Sequence, residues 1–175
     1  MRKRRICHGV GSALSAFVVS LLAACGGGGG DGSTPAPPAA ATGTLRVALT
    51  DAPACGFDHV YVTVERVRVH QTSSASDNDA GWSEVVLNPA QRIDLLGLTN
   101  GVLAELGQTL LVAGQYQQVR VVLRPNGGGT PANSVVPTGG TETPLDTPSA
   151  TQSGLKLVHG FTVPPNTLID LLLDF

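Results

Sequence analysis

The chain has 175 residues, of which 42% are hydrophobic and 14% charged, and its formal net charge is −2. We predict no nucleic-acid partner, because the seven Lys and Arg residues beyond residue 24 are scattered along the sequence, whereas phosphate binding needs clustered cations. The low charge and the many Thr, Val and small residues are typical of an extracytoplasmic β protein.

The N-terminal segment combines basic residues with an uncharged apolar run. Residues 2–5 carry four positive charges, and the run over 10–24 ends in Leu22-Ala23-Ala24-Cys25. This order is typical of a secretory signal peptide, and its last four residues resemble the lipobox of bacterial lipoproteins. The resemblance implies cleavage between Ala24 and Cys25, and attachment of diacylglycerol and a further acyl chain such as palmitate to Cys25. A transmembrane helix is the alternative, but the run is shorter than the roughly 20 residues that span a bilayer.

The residues after Cys25 predict which membrane holds the mature chain and how the domain is tethered to it. Gly26 stands where an Asp usually retains Gram-negative lipoproteins at the inner membrane, so the resemblance favours the outer membrane. Residues 26–43 contain five consecutive glycines and a Pro/Ala/Thr stretch, which cannot bury enough apolar surface to fold. We therefore predict a signal peptide over 1–24, a lipidated and disordered tether over 25–43, and one domain over 44–175. The mature chain then has a net charge of −6, since the signal peptide holds four basic and no acidic residues.

The domain consists of short segments of β-forming residues separated by turn signals. The predicted strands cover 44–50, 59–71, 82–87, 92–96, 114–124, 154–163 and 167–175. A helical turn or loop is expected over 99–107, and a long exposed loop over 125–150, which is rich in Pro, Gly, Thr and Asn. Six or seven short strands predict an all-β fold, an antiparallel β-sandwich.

The strand over 59–71 contains a break in its alternation. Val60, Val62 and Val64 follow one phase, and Val67 and Val69 follow the other. Side chains alternate between the two faces of a strand with period 2, so one set would face solvent in a regular strand. We predict a β-bulge at Glu65-Arg66, which keeps both sets on the core face.

Segments along the whole domain resemble the bacterial lipoprotein family called domain of unknown function 4382. The matching residues are Leu49-Thr50-Asp51-Ala52-Pro53, Val69-His70, Trp82, Ile93-Asp94-Leu95-Leu96, Asn100-Gly101, Ala113-Gly114-Gln115-Tyr116, Gln118-Val119-Arg120, 154–161 and Leu173-Asp174-Phe175. The resemblance implies a β-sandwich and a surface location, and brings no established activity. The segment with Gly114 and Tyr116 also resembles transthyretin-like and immunoglobulin-like modules, in which Tyr packs at the end of a sheet.

The C-terminus departs from the family pattern. Family members usually continue through another Asp and a further strand, sometimes with a Cys, whereas this chain stops at Phe175 after the apolar segment 169–173. Cys55 is then left without a partner, because Cys7 is removed and Cys25 is lipidated. We therefore expect a domain truncated at its C-terminus. The alternative is a complete chain with an unpaired edge strand.

Two groups of acidic residues are candidates for metal binding or acid/base chemistry. Asp77 and Asp79, with Asn78 between them, offer oxygen ligands to calcium, although a solvated hairpin tip is the favoured interpretation. Asp51, Asp170 and Asp174 would converge if the first and last strands pair, and they define the alternative of a hydrolase. For this group we favour a position on the solvent side or at a turn.

For the remaining candidate site residues we favour ordinary structural roles. His59, His70 and His159 lack the spacing of a zinc site and are expected at the surface or at strand edges. Trp82 and Tyr61 can stack on a sugar, but a single Trp in a β protein is more often part of the core. No nucleophile elbow and no phosphate loop occurs in the sequence, and we predict no catalytic residues and no cofactor.

Together these patterns predict a cell-envelope lipoprotein anchored in the membrane through Cys25. The favoured function is non-catalytic binding of a carbohydrate or an envelope protein, with the loop over 125–150 as the first surface to consider. A hydrolase and a purely structural envelope spacer are the alternatives.

Overall fold

The computed structural model describes residues 39–51, 55–157 and 160–174. The strands are β1 (Thr42–Thr50), β2 (Phe57–His70), β3 (Ser83–Asp94), β4 (Ala104–Val112), β5 (Gly114–Tyr116), β6 (Gln118–Leu123), β7 (Ser134–Pro137), β8 (Thr143–Pro144), β9 (Leu155–Leu157), β10 (Phe161–Val163) and β11 (Leu168–Asp174). A 3-10 helix (Leu95–Leu98) follows β3, and a short helix α1 (Pro148–Gln152) precedes β9. The predicted all-β class is confirmed. The predictions for Cys25, the signal peptide and His159 lie outside the described residues.

Two sheets enclose the core. The smaller one has the order β11-β1-β4. In the larger one, β2 is central, with β3 along one side and both β7 and β6 along the other. Strand β8 extends this sheet beyond β7, and β9 extends it beyond β6. Strands β5 and β10 form a separate antiparallel pair.

The core lies between the inner faces of these sheets. Its fully buried side chains come mainly from β1, β2 and β6, and include Leu45, Val47, Leu49, Val64, Val67, Val69, Val119, Val121 and Leu123. Tyr116 is also buried, stacks on Phe161 at 5.3 Å, and donates a hydrogen bond to the carbonyl oxygen of Val112. Burial raises the pKa of the Tyr116 hydroxyl.

The bulge in β2 is confirmed. The pairing of β2 with both β3 and β6 shifts between Val64 and Arg66, so Glu65 is the extra residue. As a result Val64 and Val67, three residues apart, are both buried.

A second bulge explains why β4 was missed. The prediction of a helical turn or loop over 99–107 is confirmed over 99–103 and wrong over 104–107, because β4 begins at Ala104. Gly107 pairs with Val47 and Glu105 with Ala48, which leaves Leu106 as the extra residue. The bulge brings Leu106 and Leu111 to the same buried face although they are an odd number of residues apart. The alternation that marks a strand is therefore absent from the sequence.

Other predicted strands have different boundaries. Segments 82–87 and 92–96 belong largely to the single strand β3, in which residues 87–90 lie opposite the one residue Glu65. The strand predicted over 114–124 is divided at Gln117, where the chain leaves β5 and joins the larger sheet as β6. Both differences arise from pairing with distant strands, which local residue patterns do not encode.

The first and last strands pair, but in parallel. Arg46 of β1 lies beside Asp170 of β11, and Thr50 lies beside Asp174. This pair departs from the antiparallel arrangement predicted for the whole sandwich. Strand β11 is also more exposed than its apolar sequence suggested, because Leu168 and Leu172 are each about half exposed.

The prediction of a long exposed loop over 125–150 is wrong in its centre. This segment contains β7 and β8, and Asn133 and Ser134 are fully buried. The side chain of Asn133 lies where β2 changes partner from β7 to β6. It accepts a hydrogen bond from the Thr63 amide (2.9 Å) and donates one to the carbonyl oxygen of Arg124 (2.7 Å). It thus satisfies backbone groups at the gap between β7 and β6.

Candidate functional site

A row of charged residues crosses the outer face of the larger sheet. In the strand register Glu84 of β3 lies beside Arg68 of β2, Arg68 beside Arg120 of β6, and Arg120 beside Lys156 of β9. Three cations therefore occupy directly neighbouring positions on three strands, and we call Arg68, Arg120 and Lys156 the cationic row. Like charges placed opposite each other destabilise a sheet unless other groups neutralise them.

The loop over residues 72–81 supplies most of the oxygen atoms that neutralise this row. Arg68 donates to the carbonyl oxygen of Asp77 (3.1 Å), and its Nε lies 2.7 Å from the Glu84 carboxylate. Arg120 donates to the carbonyl oxygen of Ala75 (2.8 Å), and Lys156 donates to that of Ser73 (3.0 Å). The backbone of the loop is thus held on the sheet by all three cations.

Arg120 is the buried centre of the row. Its residue is 7% exposed, and its guanidinium also donates to the carbonyl oxygen of Ser153 (3.0 Å) and to the carboxylate of Asp77. Burial lowers the pKa of Arg120, and the nearby charge of Arg68 lowers it further. A guanidinium nevertheless stays protonated in proteins, so the row keeps its positive charge.

Trp82 covers two of these cations and is not part of the core. The guanidinium carbons of Arg68 and Arg120 lie 4.5 Å and 4.9 Å from its ring centroid, within the range of cation–π attraction. Its indole nitrogen donates to the carbonyl oxygen of Ser76 (2.9 Å). The ring is only partly buried. The expectation of a core Trp is therefore wrong, and an aromatic surface lies beside the cationic row.

The open side of the site is a depression of about 380 Å³. Its walls include Asp77 and Ser76 from the loop, Arg120 and Lys156 from the sheet, and Ser153-Gly154 after α1. Gly154 has φ +85°, and a Cβ atom there would lie 3.0 Å from the Cβ of Arg120. Glycine is required for this close approach to β6.

His70 closes the loop at its base, contrary to the expectation of a surface or edge histidine. It is 9% exposed, its Nδ1 accepts from the Thr72 amide (2.9 Å), and its Nε2 donates to the carbonyl oxygen of Ala80 (3.0 Å). His59 does lie at the surface, where its Nδ1 is 2.6 Å from the Asp94 carboxylate. It stacks on Tyr61, whose ring is also covered by Arg92 at 3.7 Å. Tyr61 is thus engaged in contacts within the protein.

Asp77 and Asp79, the two aspartates considered as calcium ligands, contact different groups. Asp77 contacts Arg120, whereas the carboxylate of Asp79 accepts from the Ser76 amide (2.8 Å). Within residues 39–51, 55–157 and 160–174 no group of three His, Cys, Asp or Glu residues is close enough to hold a metal ion.

Of the group Asp51, Asp170 and Asp174, the last two lie on the edge strand β11, and Asp51 follows the end of the central strand β1. Asp170 and Asp174 are both exposed on β11, so they occupy the solvent side. Asp170 accepts a hydrogen bond from Arg46 (2.6 Å), which lowers the pKa of its carboxyl group. The same outer face mixes polar residues with exposed apolar side chains, which include Leu110, Val112, Leu168 and Leu172.

Most of the cationic row escaped sequence reasoning because its members are far apart in the chain. Arg68, Arg120 and Lys156 come from three strands and form no local motif. The register that aligns Arg68 with Arg120 is visible only in the structure.

The protein is an all-β sandwich with a polar depression on its larger sheet, beside which Arg68 and Arg120 lie largely buried and paired with acidic residues. A family model described as "Domain of unknown function (DUF4382)" matches residues 42–175, so the chain belongs to this family. No curated protein and no solved structure matches the chain. Cys55 is exposed and not in a disulfide, and among the described residues no helix is long and apolar enough to cross a membrane.

Proposed function

We propose that this chain is a lipid-anchored bacterial envelope protein and that its domain is a non-catalytic binding module. Its binding surface is the outer face of the larger sheet around the cationic row and Trp82. The observation that carries the proposal is the row itself, since Arg120 and Lys156 line one depression, and Arg68 and the partly exposed indole of Trp82 lie next to Arg120. Charged groups and aromatic rings in a concave site are what ligand recognition uses.

The anchoring part of the proposal is supported by Leu22-Ala23-Ala24-Cys25 and by the glycine-rich segment that follows. Several acyl chains hold a protein on a membrane much more firmly than one. With Gly26 after the cysteine, the outer membrane is the proposed location.

The location is tested by fractionating cells that express the full chain and two variants. The unchanged chain is expected in the outer membrane, with a mature N-terminal peptide that carries acyl chains by mass spectrometry. Cys25→Ala is expected to leave an unprocessed, unlipidated chain. Gly26→Asp changes one residue and is expected to move the mature chain to the inner membrane. An unmodified Cys25 in the unchanged protein would contradict the proposal.

A non-catalytic role is supported by the surroundings of the acidic residues once considered for hydrolysis. Asp170 is held by Arg46 on an exposed sheet face, away from the cationic row.

The binding function is tested by thermal unfolding of the full chain in detergent, with acidic and neutral oligosaccharides. A ligand that binds only the native state stabilises it by about 2.7 kcal/mol at a hundredfold excess over Kd. We expect a rise in midpoint that is reduced in Lys156→Gln. Unchanged midpoints with all ligands would favour a structural spacer, and turnover that is lost in Asp170→Asn would favour the hydrolase.

A further inference from the structure

The cationic row already holds one carboxylate. Asp77 reaches Arg120 from the loop, and the two side chains differ in exposure: that of Asp77 is 45% exposed, whereas that of Arg120 is 8% exposed. One half of this ion pair therefore belongs to the rigid sheet, and the other half faces the open depression.

The loop does not depend on the Asp77 carboxylate for its attachment. Backbone carbonyl oxygens of Ser73, Ala75 and Asp77 accept hydrogen bonds from the three cations, and His70 fixes the base of the loop. The carboxylate of Asp77 can thus be replaced on Arg120 without removing these contacts.

Two further groups beside Arg120 suit a sugar that carries a carboxylate. Lys156 uses one of its three N–H groups on Ser73 and forms part of the wall of the depression. The Trp82 ring contacts Arg68, Arg120 and His70, and its exposed part adds apolar surface of the kind against which sugars pack. A guanidinium binds planar carboxylates with strong, charge-assisted hydrogen bonds.

We infer that the ligand of this surface is a uronic-acid-containing oligosaccharide, and that Asp77 occupies the place of the ligand's carboxylate until the ligand displaces it. This inference rests on the proposed binding function and adds both the ligand class and an internal competitor. Asp77 sets the affinity, because a ligand carboxylate must replace it on Arg120.

The test is calorimetric titration of the full chain in detergent with trigalacturonate, and with maltotriose as a neutral trisaccharide. Asp77→Asn removes the competing charge and keeps the loop backbone. Because the Asp77 carboxylate is 45% exposed, solvent screens its pairing with Arg120, and a screened ion pair changes an equilibrium by up to about fivefold. We therefore expect Asp77→Asn to lower the Kd for trigalacturonate about three- to fivefold. Lys156→Gln is expected to raise it by a similar factor.

Asp79→Asn is the matched control, because Asp79 lies in the same loop and contacts the Ser76 amide in place of a cation. Asp79→Asn should bind trigalacturonate with the same Kd as the unchanged protein. The Kd for maltotriose should be the same in Asp77→Asn as in the unchanged protein. If the unchanged protein binds trigalacturonate and Asp77→Asn binds it equally or less tightly, the inference is wrong and the proposed function stands. If maltotriose binds and trigalacturonate does not, the ligand class is wrong. Binding of neither sugar by any variant would contradict both proposals.

Discussion

Arg68 and Arg120 lie directly opposite each other on adjacent strands, and both side chains are largely buried, at 14% and 8% exposure. Two cations in this position repel each other, so their arrangement requires compensation from nearby oxygens. The loop over 72–81 and Glu84 provide it. The two arginines therefore need the folded loop to offset their repulsion, and the loop needs the arginines to hold its backbone on the sheet.

The first prediction concerns the forked shape of the Arg120 side chain. Arg120→Lys keeps the charge but cannot reach Ala75, Ser153 and Asp77 together, so it should lower the free energy of unfolding by about 1–3 kcal/mol. Chemical denaturation measures this change. Arg124→Lys is the control, since Arg124 is 54% exposed and should alter stability by less than about 0.5 kcal/mol. Equal effects of the two substitutions would show that Arg120 does not hold the loop.

The second prediction follows from the bulge in β2. Deleting Glu65 leaves Val64 and Val67 two residues apart, which is the spacing of a regular strand, so both remain on the core face. This variant should unfold cooperatively, with a loss of about 1–2 kcal/mol.

Deleting Thr63 instead brings Val62 next to Val64 and turns one set of valines outward. That variant should show no cooperative thermal transition by circular dichroism. The assignment of the bulge would be contradicted if the two deletions had the same effect.

The bulge could be predicted because five valines in one short segment record which face is buried. Strand β4 could not, because only Ala104 is apolar before its bulge at Leu106, and the apolar residues after the bulge, 110–112, are consecutive and show no period. In each case the side-chain period breaks, but only the valine-rich strand has enough apolar positions on both sides of the break to reveal it.

The third prediction concerns Asn133. Its side chain satisfies the Thr63 amide and the Arg124 carbonyl inside the sheet, so Asn133→Ala leaves two backbone groups without these partners. We expect a loss of about 2–4 kcal/mol, measured by chemical denaturation. The same substitution at the exposed Asn78 should change stability by less than about 0.5 kcal/mol. A small loss at Asn133 would mean that water reaches the gap between β7 and β6.

The role of Asn133 also shows why the segment 125–150 was misjudged. Its Pro, Gly, Thr and Asn residues are typical of loops, and a buried Asn that completes a sheet has the same local signature as one in a turn. The backbone groups that Asn133 satisfies lie near β6, about ten residues earlier in the chain, and in β2, more than fifty residues earlier.

The fourth prediction concerns the ion pair on the smaller sheet. The hydrogen bond from Arg46 lowers the pKa of Asp170, so NMR titration should place that pKa below its ordinary value, and Arg46→Gln should raise it. A carboxyl group with a lowered pKa in the folded state stabilises the fold above its unfolded pKa, and this contribution is lost as pH falls through the folded pKa. Because both side chains are exposed, the effect on stability should be small. An unchanged Asp170 pKa in Arg46→Gln would show that the pair does not form in solution.

The cationic row was predictable only in part. Outer-face positions follow from alternation, but the alignment of Arg68 with Arg120 and Lys156 depends on strand register across long stretches of chain. The sequence suggested Asp77 as a calcium ligand because Asp79 is close to it in the chain. In the structure the Asp77 carboxylate contacts Arg120 of β6.

The most direct test of the binding surface is a titration of residues 38–175 with trigalacturonate, followed in the ¹H–¹⁵N spectrum. Trp82 is the only tryptophan, so its indole N–H gives one resonance that reports on the cationic row. We predict that this resonance and the amides of 73–77 and 153–156 shift together and saturably, while those of the outer face of the smaller sheet stay unchanged. Shifts centred on the smaller sheet, or a folded protein whose spectrum does not change, would contradict the proposed surface.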